Sequence, residues 1–298
     1  MESKNSLNKV TMIIFGFLVI GFVFWGGCKK NDTVTNSTAT TQDPQATQDA
    51  ATSLGGSLAI NNGGILDQVA DLLNTPTPGG ILNKAINPDP NFISTATFSY
   101  DSTTGWWTVN IDRTRSGPLW FTHFTRVYMH QFLNSNGISQ KKYIDNGDTA
   151  YSVNHKIVGG TGVFNNKWLA HKLTGLSCTW TGTGTNTPTV TINTSSPYNR
   201  SAIDTIYGAG GGVRSLDHTI TVNFINVVGP RGTGLDWWLK TSGTLTGHYH
   251  AVVTFQKGTT YNEHTIDRDF TVTLGGTSLV VAEGGKTFQV DPSTGEIQ

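Results

Sequence analysis

From Phe92 to the C-terminus, apolar and polar positions alternate with a period of two. FISTATFSY and WWTVNIDRTR are joined by DSTTG. LWFTHFTRVYMHQF ends at NSNG, and ISQKKYI ends at DNGD. TAYSVNHKIV and KWLAHKLTGLSCTW flank GGTGVFNN. PTVTIN, AIDTIY, HTITVNFINVV, LDWWLKTSGTLTGHYHAVVTF, TYNEHTIDRDFTVTL, SLVVAEG and KTFQV complete the chain. Side chains of a strand point alternately to its two faces, so this is the pattern of half-buried strands. The breaks carry Asn-Gly, Gly-Gly or Lys-Gly, which is hairpin chemistry. No long helical period separates the runs, so parallel crossover units are not expected. The pattern predicts a mainly β fold: one antiparallel domain of about twelve strands over 92–298, built as a curved sheet, a sandwich or an open barrel.

Ahead of the strands the period changes. In NNGGILDQVADLLNTPTPGG, Ile65, Leu66, Val69, Leu72 and Leu73 fall on one helical stripe. Asn62 stands where a cap would, and Pro76, Pro78 and Gly79 end the pattern. The spacing predicts one short helix covering an end or face of the sheet, within a 57–91 segment of helix and Pro/Gly-rich connection. Residues 28–56 are polar and carry no aromatic side chain. They read as a flexible tether, because such a stretch cannot bury enough apolar surface to order itself.

The first 27 residues have three zones. Met1 to Lys9 is polar with Lys4 and Lys9, Val10 to Trp25 is apolar apart from Thr11, and Gly26 and Gly27 precede Cys28. These are the parts of a secretory signal. A membrane span needs about 20 apolar residues, more than this run offers. The Gly-Gly-Cys ending resembles the lipobox of bacterial lipoproteins, with Trp25 standing where Leu is usual. The resemblance implies cleavage after residue 27 and lipidation of Cys28. Each buried CH2 of an acyl chain contributes about 0.8 kcal/mol, so a multiply acylated cysteine holds firmly. Lys29 follows where an aspartate would favour retention at the inner membrane, so the resemblance points to the outer membrane, with the leaflet open. An uncleaved anchor helix with an idle Cys28 is the alternative. Either way the body of the chain lies outside the inner membrane.

Composition narrows the function. Loss of Lys4, Lys9 and Glu2 takes the balanced twenty basic and twenty acidic residues to a net charge of −1. No basic excess remains to neutralise a phosphate backbone, so nucleic acid is not an expected partner. The one other cysteine, Cys178, leaves no internal disulfide once Cys28 is lipidated, and no cysteine-rich zinc site. Cys178 reads as a small buried strand residue. No cofactor is expected.

Two sets of residues are site candidates. In GTLTGHYHAVVTFQKGTTYNEHTIDRDF, a turn at Lys257-Gly258 pairs His248 with Asp267 and His250 with Thr265. His248, His250 and Asp267 are then a metal candidate, or a His–Asp acid–base pair. The competing reading is a solvated sheet face with one cross-strand pair, since no third liganding segment is visible. The adjacent pairs Trp106-Trp107 and Trp237-Trp238 are candidates for stacking on a ligand, because neighbours in a strand point to opposite faces. His218 and His264 open the similar segments DHTITVNF and EHTIDRDF, and both read as buried core histidines. SQKK and GAGGG match the Ser-x-x-Lys and glycine-loop patterns by composition only. The expectation is a lipid-anchored envelope protein that binds or scaffolds, with a glycan, lipid or envelope-protein ligand. The alternative is a metal-dependent enzyme using the His248, His250 and Asp267 site.

Overall fold

The computed structural model of the chain describes residues 37–38, 44–76, 92–208, 212–234 and 236–298. The signal segment, Cys28 and the first part of the expected tether lie outside the described residues. Helix α1 (Pro44–Leu58) and helix α2 (Ile65–Asn74) come first. Eleven strands follow: β1 (Phe92–Asp101), β2 (Trp106–Gly117), β3 (Trp120–Leu133), β4 (Ser152–Asn166), β5 (Leu169–Thr183), β6 (Thr189–Tyr207), β7 (Val213–Pro230), β8 (Ser242–Lys257), β9 (Thr260–Leu274), β10 (Leu279–Glu283) and β11 (Lys286–Val290). Each pairs antiparallel with its neighbours in chain order, so one open meander runs from β1 to β11. Ser139–Gln140 adds a twelfth, short strand beside β3, and Ser37–Thr38 runs parallel to β9 at His264 and Thr265.

The strand boundaries differ from expectation where a break proved to be a bulge. PTVTIN and AIDTIY are the two halves of β6, which continues through SSPYNR with register shifts between Thr194 and Asn199. Pro197 lacks an N–H, and a bulge is where a strand tolerates that. TAYSVNHKIV and GGTGVFNN likewise merge in β4. ISQKKYI supplies only Ser139–Gln140 and the Ile144–Asp145 half of a small separate hairpin.

The sheet curls around both helices. Every residue of α2 is buried, although only one face of it is apolar. Its side chains reach strands far apart in the meander. Leu72 lies by Gly182 of β5 and Leu73 by Gly229 of β7, and Gln68 Nε2 donates to Tyr198 Oη of β6 at 3.1 Å. The polar face meets arginines of β2 and β3. Arg113 grips Asp71 through both terminal nitrogens, at 2.9 and 2.7 Å. Arg115 Nη2 donates to Asp67 Oδ1 at 2.9 Å, and Arg126 Nη1 to Asp67 Oδ2 at 2.6 Å. Burial lifts the Tyr128 hydroxyl well above its ordinary value, so it keeps its proton and donates to Asp71 Oδ2 at 2.8 Å. Beside this lattice an aromatic stack crosses the interior. Tyr128 meets His155 at 4.9 Å, His155 meets Trp180 at 6.0 Å, and Trp180 meets Phe224 at 4.6 Å between ring centres.

Helix α1 corrects the tether. Residues 44–56 are helical and mostly buried inside the sheet. The composition argument failed because α1 packs small residues, Ala46, Ala50 and Ala51, with Leu54 and Leu58, where a confined space suits them. Its polar side chains find wall partners. Arg268 Nη1 donates to Thr47 Oγ1 at 2.6 Å, Arg214 Nε lies 2.9 Å from Asp49 Oδ1, and Ser53 Oγ donates to Asp204 Oδ2 at 2.5 Å. Gly55 backs onto Gly295, whose φ of 78° and contact with the Gly55 carbonyl both exclude a side chain. The single predicted helix is therefore the second of two.

Removing one partner of a buried ion pair leaves the other charge uncompensated, at a cost of about 3–5 kcal/mol. Asp67→Ala is expected to lose stability on that scale in urea unfolding. Ser177→Ala, on the exposed face of β5, should change stability by less than about 0.5 kcal/mol. Equal midpoints for the two variants would show that the lattice does not hold α2.

Candidate functional site

The α1–α2 loop is pinned at one end of the sheet. Ile60 N–H donates to Pro292 O at 3.0 Å and Asn61 N–H to Ser293 O at 2.9 Å. Thr122 Oγ1 of β3 donates to Asn61 O at 2.9 Å. The segment DPSTGE forms the turn expected of it, with Asp291 Oδ1 accepting from the Ser293 and Thr294 N–H groups at 2.7 and 2.9 Å. Burial alone would raise the Asp291 carboxyl; the Ser293 hydroxyl, with these N–H donors, holds it below the usual range. Asn166 Oδ1 accepts from the N–H groups of Trp168 and Leu169, at 2.8 and 2.7 Å, and so sets the turn that carries Trp168.

Between these elements lies a cleft of about 240 Å³. Leu119, Trp120, Phe164 and Trp168 supply its apolar lining, Asn61 and Asn62 amides, and Lys167 and Glu296 one charge of each sign. Leu119 is 75% exposed and Trp168 54%. Lys167 Nζ sits 4.5 Å from the centre of the Trp168 ring. Neither Trp120 nor Trp168 is part of an adjacent pair, so adjacency does not mark them. The usable signal was position, since SGPLW and NNKWL each place a tryptophan at a tight turn.

The tryptophan pairs divide differently. Trp107 packs against the core and donates Nε1–H to Lys141 O at 2.8 Å. Trp106 takes the other face, with Lys156 Nζ 4.4 Å from its ring centre. Trp237 and Trp238 are not in a strand. They lie in a 3-10 turn (Trp237–Lys240), with Trp237 in the core and Trp238 edge-on to it at 6.4 Å. The alternation argument therefore does not apply to that pair.

The His248 hairpin has a shifted register. Its two-residue loop is Gly258-Thr259, with φ of 58° at Gly258, so His248 faces Asp269 and His250 faces Asp267. The shift is by two residues per pair, which leaves every side chain on its predicted face. The same shift sets Val253, not Ala251, opposite His264, and brings Arg268 opposite Tyr249. Asp267 still joins both histidines, its Oδ1 3.0 Å from His248 Nε2 and its Oδ2 3.0 Å from His250 Nδ1. His248 Nδ1 lies 2.9 Å from Asp269 Oδ1. The hydrogen bond from His250 holds the Asp267 carboxyl below its ordinary value.

Among the described residues, the group whose ligand atoms fall within 4.8 Å of one another is a different one: buried His171, Asp204 and His218. His171 Nδ1 contacts Asp204 Oδ1, and Arg200 Nη2 approaches His171 Nε2 at 2.7 Å. A guanidinium donates only, so Nε2 must accept and the ring proton sits on Nδ1. A metal-bound histidine instead donates its second N–H outward. The donor set therefore fits a hydrogen-bonded tie across β5, β6 and β7, which α1 joins through Ser53. Burial would raise the Asp204 carboxyl, yet the rings of His171 and His218 hold it far below the usual range. His218 is buried as expected, its Nε2 3.2 Å from Asp204 Oδ2, whereas His264 is only half-buried. Cys178 is buried, which pushes its thiol up and away from thiolate chemistry.

No family model, no curated protein and no solved structure matches the chain.

The stacked histidines carry a pH prediction. Burial pushes His155 down to about 4, and burial with the neighbouring His155 pushes His130 down to about 3. Between those values and about 6.5 the unfolded chain binds protons that the fold refuses, so stability rises with pH and is lost as pH falls through that window. Urea midpoints from pH 7 to pH 4 should fall for the wild type. In His155→Phe the loss should shrink by an amount on the order of 3 kcal/mol at pH 4. An unchanged pH slope would place the acid sensitivity elsewhere.

Proposed function

We propose that this chain is a lipid-anchored cell-envelope protein whose β domain binds a ligand rather than transforms one. The observation that carries the binding reading is the filled interior. Both helices, their ion pairs and the aromatic stack occupy the space inside the curled sheet. A lipid carrier needs a cavity there. Recognition is then left to the outer face and the rim, where the Trp168 cleft lies. The anchor rests on the Gly26-Gly27-Cys28 resemblance, with Lys29 directing the protein to the outer membrane. Among the described residues no helix is long and apolar enough to cross a membrane. The reading needs neither a cofactor nor nucleic acid.

A second reading, a metal-dependent enzyme, is favoured by one observation: Asp267 joins His248 and His250 on the exposed face. It predicts bound zinc in the wild type that disappears in His248→Ala, measured by elemental analysis after dialysis. Equal metal in the two removes it.

For the anchor, full-length protein should incorporate labelled palmitate and fractionate with the outer membrane. Cys28→Ser should lose the label and keep the unprocessed signal. Palmitate incorporation that survives Cys28→Ser would overturn the lipoprotein reading.

A further inference from the structure

We propose that the cleft between the α1–α2 loop, the β2–β3 and β4–β5 turns and the C-terminal tail is a saccharide site, with Trp168 as its stacking surface. The proposal rests on the binding reading above and names the ligand class of that domain. Four features converge on it. The first is exposure: an indole and a leucine stand out at the rim. A sugar ring has an apolar C–H face for such an indole and hydroxyls around its edge. The second is the company the indole keeps. Side-chain amides of Asn61 and Asn62, with Lys167 and Glu296, surround the apolar lining. That mixture of donors and acceptors suits hydroxyl groups better than an acyl chain.

The third feature is a fixed amide. Asn62 is 6% exposed and spends its Nδ2 hydrogens on Gly56 O and Thr294 O, both at 3.2 Å. That fixes the amide orientation and leaves Oδ1 as a buried acceptor with no partner. Oδ1 is sealed from solvent, so the amide contributes by holding the Asn61-Asn62 wall of the cleft in place. The fourth is rigidity. The loop, the tail and the Trp168 turn are each held by backbone hydrogen bonds, so little ordering accompanies binding. A volume of about 240 Å³ is below the ordinary range for drug-sized ligands. The occupant is therefore one ring, at the end or side of a longer glycan.

The test uses the full chain in a detergent that is not itself a glycoside. Tryptophan fluorescence and calorimetry are followed with N-acetylglucosamine and glucose trisaccharides and, separately, with phospholipid vesicles. Saturable binding of a saccharide, weakened at least ~10-fold in Trp168→Ala as for an aromatic hot spot, is the expected result. Trp106→Ala, away from the cleft, should leave it unchanged. Thermal midpoints establish that each variant is folded. Failure of both sugars, affinity unchanged in Trp168→Ala, or binding to vesicles alone would overturn the saccharide site. None of those results bears on palmitate at Cys28, so the anchor stands or falls separately.

Discussion

A helix inside a β-sheet has to satisfy both its faces, and here the two carboxylates of α2 make that possible. Asp67 and Asp71 stand on the polar side of an otherwise apolar helix and are fully buried. Without Arg113, Arg115 and Arg126 they would be uncompensated charges in a dry interior. With them, the polar side is bound to β2 and β3 as firmly as the leucine stripe is packed against β5 and β7. The rest follows from this lattice. It sets where α2 lies, and hence where the α1–α2 loop emerges. It also sets the curl of the sheet, since strands from β2 to β7 must all reach one helix.

Helix α1 repeats the device with weaker parts. Its Thr47, Asp49 and Ser53 meet Arg268, Arg214 and Asp204. The interior is thus a set of ionic ties between helices and wall, separated by aromatic packing. Such ties are specific in register, because guanidinium and carboxylate meet only in a narrow range of distance and angle. They also leave no room for cargo. The Trp120 and Trp168 cleft lies at the rim, where the loop, the tail and two strand turns come together.

A good part of this was legible in the chain. Period-two alternation in segments such as HTITVNFINVV reports strands directly, because a strand's faces are set by local geometry. The α2 stripe was equally direct. The outward face of His248, His250 and Asp267 survived a wrong turn assignment, because parity is unaffected by a shift of two residues. Helix α1 was not legible. Its alanines, serines and threonines carry no strong period, and the partners that stabilise it lie 151 and 221 residues away. Nor was the role of Arg113, Arg115 and Arg126, which alternate in their strands as any outward-facing residue would in the opposite register.

Sequence alone determined most of the strands, their antiparallel order and the short leucine-rich helix, since each depends on neighbouring residues. Tertiary structure decided what filled the sheet, which tryptophans reached the surface, and that Asn62 would line a cleft with an unpaired oxygen. Those outcomes depend on residues brought together across the whole chain. No local pattern records a distance between Asp67 and Arg126, or between Asn62 and Thr294, until the sheet has curled around the helices.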